Sequence, residues 1–153
     1  MITKKTKYAL KALINLARKY GDGPILISEL SREERIPKKF LELILLALKN
    51  KGILNSKKGK GGGYYLLKTP AQVSMGQIIR MMDGPLAPVS CVSETAYAPC
   101  TECDDEQLCG IRIVMKRVRD SIADILDGTS LEDLLITMQT AQKQKEDAIE
   151  YSI

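Results

Sequence analysis

Histidine is absent from the 153-residue chain, and that one absence removes a wide range of chemistry. Ser–His and Cys–His nucleophiles and histidine-based metalloenzyme sites all need an imidazole. No apolar run approaches the roughly 20 residues that span a bilayer. Lysines are spread through residues 1–20, so neither a secretory leader nor a membrane helix is expected, and the cytoplasm is the expected compartment. No paired carboxylates surround a predictable pocket, so an acid–base enzyme is not expected.

Acidic residues are scarce in one half of the chain only. Residues 1–68 carry 16 Lys/Arg against 5 Asp/Glu, a net of +11, whereas residues 69–153 carry 7 against 14, a net of −7. A basic half joined to an acidic half points to an anionic partner for the first. Apolar residues at 44% and charged residues at 27% are those of an ordinary folded domain.

Periodicity divides the chain further. Leu10, Leu13, Ile14 and Ala17 share one face of a helix over residues 3–20, which ends at Gly21-Asp22-Gly23-Pro24. Ser28 is placed to cap a second helix, and Ile36-Pro37 breaks it, because proline lacks an amide donor and disfavours helix in its predecessor. A third helix is expected over residues 38–50, with Phe40, Leu41, Ile44, Leu45 and Leu48 as its apolar side and Gly52 closing it. Two short strands, Ile53–Ser56 and Tyr64–Leu67, flank a lysine- and glycine-rich turn and form a hairpin. A short helix at residues 74–82 follows, then an aperiodic stretch, residues 86–110, read as a loop. Ile111, Met115, Val118, Ile122 and Ile125 recur at spacings of four and three, the seam of a coiled coil. Asp127-Gly128 ends that helix, Thr129 or Ser130 can cap another, and the polar tail after Gln139 is expected to fray.

The fold class is therefore mainly α with a small β-hairpin wing: a winged helix-turn-helix plus a long dimerisation helix. The expected division is 1–85 for the DNA-binding domain, 86–110 for a cysteine-containing loop, and 111–153 for the dimerisation helix and tail. In such a fold the third helix enters the major groove and the wing meets the flanking backbone. The candidate DNA-facing set is Ser28 on the second helix, Lys38, Lys39, Phe40 and Glu42 on the third, and Lys57, Lys58, Lys60, Gly61, Gly62, Gly63 and Tyr64 on the wing. Glu42 can accept from a cytosine amino group or pair with Lys38 or Lys39. The wing glycines let backbone approach closely, and no Gly-Lys-Ser/Thr sequence makes them a nucleotide-binding loop.

Cysteine is absent outside one window, which holds Cys91, Cys100, Cys103 and Cys109. In a reducing compartment such a cluster signals metal or redox chemistry rather than structural disulfides. Four thiolates in a pliable loop suit an iron–sulfur cluster, either 2Fe-2S or 4Fe-4S. One Cys-x-x-Cys is compatible with zinc, although no second knuckle exists, and a metal-free thiol switch uses the same residues.

The segments Lys7-Tyr8-Ala9-Leu10, Phe40-Leu41-Glu42, Gly61-Gly62-Gly63-Tyr64 and Asp83-Gly84-Pro85, followed by the cysteines, resemble the IscR-type regulators of the Rrf superfamily over roughly residues 1–135. The resemblance implies a homodimer bound to a palindromic promoter site in double-stranded DNA through the third helix and wing. It gives Glu42 a role in DNA selectivity and puts Lys58 where a base-reading arginine stands, without the bidentate fork. It also implies three cysteine ligands spaced five and five plus a fourth such as histidine. Cys103 and Cys109 match the second and third, Cys100 or Cys91 the first, and Arg112 occupies the histidine position. Tyr8 lies where a subgroup recruits an aspartate from its partner, so four cysteines of one chain are the expected ligands. Promoter affinity would then follow cluster loss through iron shortage, oxidation or nitric oxide. A zinc- or thiol-controlled regulator and a small iron–sulfur electron carrier or assembly factor are the alternatives.

Overall fold

The computed structural model describes residues 2–152. Helix α1 (Lys4–Arg18) opens on Thr3, whose hydroxyl accepts the Thr6 amide, and buries Ala9, Leu10, Ala12, Leu13, Leu16 and Ala17. Alanines among the leucines allow close approach of neighbours, and α1 becomes the post on which the domain is assembled. The segment after it is extended rather than a bare turn: Ile25 pairs with Tyr64 through Ile25 N–H to Tyr64 O (2.9 Å) and Tyr64 N–H to Ile25 O (2.8 Å).

That pairing moves the start of helix α2 (Ile27–Glu34). The extended residue before it is Leu26, with no side-chain cap, and Ser28 lies exposed inside the first turn. The expected Ser28 cap is therefore corrected: a backbone held to the wing as far as Ile25 leaves the helix to begin two residues early. α2 packs on α1 through polar groups. The Asn15 amide donates to Glu33 and Glu34 (both 2.8 Å), and Lys19 pairs with Glu29 (3.0 Å) and Glu33 (2.8 Å). The Lys19 ammonium and Asn15 hold the Glu33 carboxyl below the usual range.

Helix α3 (Lys38–Asn50) buries Leu41, Ile44, Leu45 and Leu48. Phe40, expected on that side, is exposed, because the arc at i, i+3, i+4 and i+7 from Leu41 excludes the adjacent position. The helix ends in a Schellman turn: Gly52 (φ 76°) and Ile53 donate to Lys49 O and Leu48 O, each at 3.0 Å, and Ile53 packs in the core with Leu48.

Strands β1 (Leu54–Lys57) and β2 (Gly63–Leu66) pair antiparallel, with Leu54 opposite Leu66 and Lys57 opposite Gly63. A turn at Pro70–Gln72 leads to helix α4 (Met75–Asp83), capped by Ser74. Helices α5 (Gly110–Asp127) and α6 (Leu131–Glu150) follow the loop. Ser130 and Asp133 form a capping box, and α6 does not fray after Gln139 as expected. Its Gln, Lys, Ala and Glu residues favour helix, and Gln142 bonds Glu146 one turn on (2.9 Å). Leu131 is fully buried in the same core as α1, and its amide donates to Val73 O (2.9 Å).

Leu48 joins α3, the Schellman turn and the core on α1, so Leu48→Ala is expected to cost about 3 kcal/mol in urea unfolding. A loss under about 1 kcal/mol would mean that the core collapses around the void.

Candidate nucleic-acid interface and cysteine loop

The turn between α2 and α3 is fixed by backbone geometry. Arg35 adopts φ 54°, rare for a residue with a side chain. Ile36 N–H donates to Ser31 O (3.1 Å), and the Ser31 hydroxyl donates to Ile36 O (2.6 Å). Pro37 precedes α3 without a side-chain cap, leaving its first amides free beside Lys38 and Lys39, an arrangement that favours phosphate. The exposed face of α3 carries Lys39, Glu42, Leu43 and Leu46.

Beside it stands the wing, braced by Lys49 Nζ donating to Ser56 Oγ (2.7 Å). Lys57, Lys58 and Lys60 are exposed at its tip. Among the described residues no ion pair engages these lysines, Lys38, Lys39 or Glu42. The alternative in which Glu42 pairs with Lys38 or Lys39 is not formed.

Two wing glycines have an internal reason that spacing alone did not reveal. A Cβ on Gly62 would strike the Lys57 carbonyl, and one on Gly63 (φ 140°) would strike Ile25 backbone. The run is needed for the tight hairpin and for the bridge to Ile25. The Tyr64 ring is half-buried against the core.

The loop between α4 and α5 is anchored at its start and exposed at its tip. A short turn at Ser90–Val92 buries Val92. Two arginines one heptad apart on the inner face of α5 hold it. Arg119 Nη1 donates to Val92 O (2.6 Å) and pairs with Glu94 (3.7 Å). Arg112 Nε donates to Cys91 O (3.3 Å) and pairs with Glu106 (3.6 Å), which accepts the Tyr97 hydroxyl (2.8 Å). Sequence reasoning missed Arg119 and saw Arg112 only as a lost histidine. Their seven-residue spacing, flanking the apolar seam, was the available signal.

Among the cysteines, Cys103 and Cys109 are neighbours. The Cys103 thiol donates to Asp105 O (3.9 Å), and the nearby Cys109 side chain, then partial burial, push Cys103 up to about 11. The Arg112 amide at the start of α5, then the Cys103 thiol, hold Cys109 below the ordinary thiol range. Cys100 is exposed and close enough to raise Cys103 further, whereas Cys91 sits at the anchored turn. Among the described residues no three Cys, Asp or Glu side chains converge as metal ligands. The donor set suits a thiophilic iron centre in kind: soft thiols, one of them held toward thiolate, on an exposed loop.

Toward its other end α5 is tied to α4 by Arg80 and Asp127 (2.5 and 2.9 Å), and the Asp127 carboxyl is held below its usual range by that guanidinium. A Cβ on Gly76 would strike the Asp127 carboxylate, so glycine there admits the pair. The seam faces outward, with Ile111 71% and Ile125 67% exposed, and Val118, Ile122 and Ile125 border an apolar groove of about 620 Å³ with Ile79 and Leu86. α5 packs on α4 and on the Ser90–Val92 turn. No helix among the described residues is long and apolar enough to cross a membrane.

A helix-turn-helix with a lysine-tipped wing defines a DNA-binding transcriptional regulator of the winged-helix class. Residues 2–137 match the profile of the family described as "Rrf2: Iron-dependent Transcriptional regulator", and the chain belongs to the Rrf2 family. It is 45% identical over 150 residues to an rrf2-like HTH-type transcriptional regulator of Rhodobacter capsulatus, covering 96% of this chain and all of that one. The structure of CymR, described as the global cysteine regulator of B. subtilis, superposes with a TM-score of 0.74 at 32% identity, over 88% of this chain and 95% of that one. T. potens IscR superposes with a TM-score of 0.72 at 25% identity, over 93% and 90%. These relatives are regulators, as the winged helix-turn-helix pattern of the sequence led us to expect.

Arg119→Ala removes the anchor of the Ser90–Val92 turn, and amide exchange at Ser93 and Ala98, which both donate to Ser90 O, is expected to rise at least about fivefold. Exchange unchanged within a factor of two would mean that the guanidinium does not order the loop.

Proposed function

We propose that this regulator acts as a homodimer on a palindromic promoter site and that an iron–sulfur cluster on the cysteine loop sets its affinity. The carrying observation is the arginine pair: the segment holding the cysteines is fastened to α5 through Arg112 and Arg119. Cys91, Cys100, Cys103 and Cys109 would hold the cluster, which supplies a bond network sensitive to iron supply, oxidation and nitric oxide. Residues 1–85 would read DNA, 86–110 would sense, and 111–153 would pair the protomers.

The coupling follows from what the side chains touch. Rearrangement of the loop changes the partners of Arg112 and Arg119, and so the seat of α5. The Arg80–Asp127 pair passes a shift of α5 to α4, which packs on α1 and, through Asp83, holds the Thr3 hydroxyl (2.6 Å). In a two-fold dimer a small change in tilt alters the spacing of two α3 helices, and the two half-sites are read less or more tightly. Lys38, Lys39 and Glu42 on α3, with Lys57, Lys58 and Lys60 on the wing, are the proposed contacts. Ser28 can reach only the flanking backbone from the first turn of α2. Phe40 is open to the groove, Gly61 keeps the wing tip narrow, and Gly62, Gly63 and Tyr64 shape the wing from within.

Anaerobic purification should yield coloured protein with iron and acid-labile sulfide, and holo and apo protein should differ at least about tenfold on a duplex selected from a random pool. Equal affinities would sink cluster sensing and leave DNA binding intact.

The exposed seam supports the dimer. Ile122→Asp places a charge in the apolar stripe, and sedimentation should report monomers with weakened binding to the selected duplex. A variant that remains fully dimeric would contradict this assignment.

A second reading rests on the Cys103–Cys109 contact, where one thiol is already held toward thiolate. Here the pair is a metal-free thiol switch. Colourless, iron-free protein that forms a Cys103–Cys109 disulfide with peroxide and changes its DNA affinity would favour it over the cluster. Bound zinc would favour a zinc site instead, and salt-insensitive or absent DNA binding would revive an electron-transfer role.

A further inference from the structure

The face of α3 turned away from the core is apolar to a degree that a DNA-reading surface does not require. Phe40, Leu43 and Leu46 are 57%, 65% and 49% exposed and follow one another at intervals of three, forming a continuous ridge along the helix. None of them is needed for the core, which is filled from the opposite arc by Leu41, Ile44, Leu45 and Leu48. Around the ridge the surface is cationic: Lys38 and Lys39 at the helix start, Lys57, Lys58 and Lys60 on the wing. A protein partner would meet that rim as a like-charged fence unless it were strongly acidic. Duplex DNA offers both halves of the match, phosphates for the rim and, inside the major groove, the one apolar group on any base edge, the thymine C5-methyl.

We infer that Leu43 and Leu46, supported by Phe40, read thymine methyl groups, so that each half-site of the operator carries thymines facing α3. This rests on the DNA-reading role of α3 proposed above and adds the base class that it selects. An exposed leucine has no hydrogen-bonding capacity, so it cannot reward a guanine, cytosine or adenine edge. It gains only where a methyl lets both surfaces leave water. Burial of one methyl-sized group corresponds to about a fourfold gain in affinity. Glu42, on the same exposed face, adds the polar discrimination that the leucines lack, since a carboxylate repels the acceptor atoms of guanine and thymine and accepts from a cytosine amino group.

The test uses the full-length protein and a duplex selected by it from a random pool at low salt. The duplex is resynthesised with deoxyuridine at one thymine at a time, which deletes the methyl and leaves every hydrogen-bonding atom in place. At least one position in each half-site should lose about fourfold in affinity, and Leu43→Ala or Leu46→Ala should bind the thymine and uracil duplexes alike. Both side chains are exposed, so the variants should keep the wild-type melting temperature, and Leu43→Gln gives a second substitution of similar size. Uracil tolerated at every position, or selected half-sites without thymine, would overturn the methyl reading while a retained preference for the selected duplex keeps α3 as the DNA-binding helix. No preference for any duplex would overturn both.

Discussion

The burial of α1 is the constraint from which the other arrangements follow. Its alanine- and leucine-lined surface receives α3, α4, α6 and the second strand, and the polar cluster of Asn15, Lys19, Glu29 and Glu33 locks α2 to its side. The angle of α3 and the reach of the wing are therefore properties of one packed core, not of a flexible pair of helices. A reading surface must be held rigidly to discriminate bases, because misplacement of a side chain by an ångström removes a contact. Rigidity at the core is what allows sparse contacts at the surface to carry selectivity.

Charge and burial are distributed in complementary ways. The cations are concentrated where the surface is free of partners, at the start of α3 and on the wing. The carboxylates of the second half are mostly engaged or solvated, and two of them, Glu94 and Glu106, pair with arginines that also hold loop carbonyls. The cysteine loop is thus tied to α5 near Cys91 and again through Glu106, and it is exposed at Cys100. In the proposed sensing role, the anchored end would transmit and the exposed end would hold the cluster.

Much of this was legible beforehand, for identifiable reasons. The bounds of α3 matched because Pro37 and Gly52 mark its ends with backbone chemistry that few other residues supply. The hairpin and the capped α4 were readable on the same grounds. The misreadings share one cause. Ser28 looked like a cap because local sequence does not show that Ile25 pairs with Tyr64, nearly forty residues away. Phe40 looked buried because eight of the nine residues 40–48 are apolar, which permits more than one face. Arg112 looked like a missing ligand because its partners, Cys91 O and Glu106, depend on how the loop folds back. α6 looked frayed because a polar composition reads alike in a solvated helix and a loose tail.

By itself the chain determined the order and kind of its elements, the basic character of the reading module, and the clustering of four thiols, since these are set by local propensity, period and composition. The tertiary structure decided which thiols meet, which face of α3 is free, why Gly62 and Gly63 are glycines, and how the loop is bound to α5. Those outcomes depend on contacts between residues distant along the chain. No window of sequence contains both partners, and the shared core on α1 sets their distance.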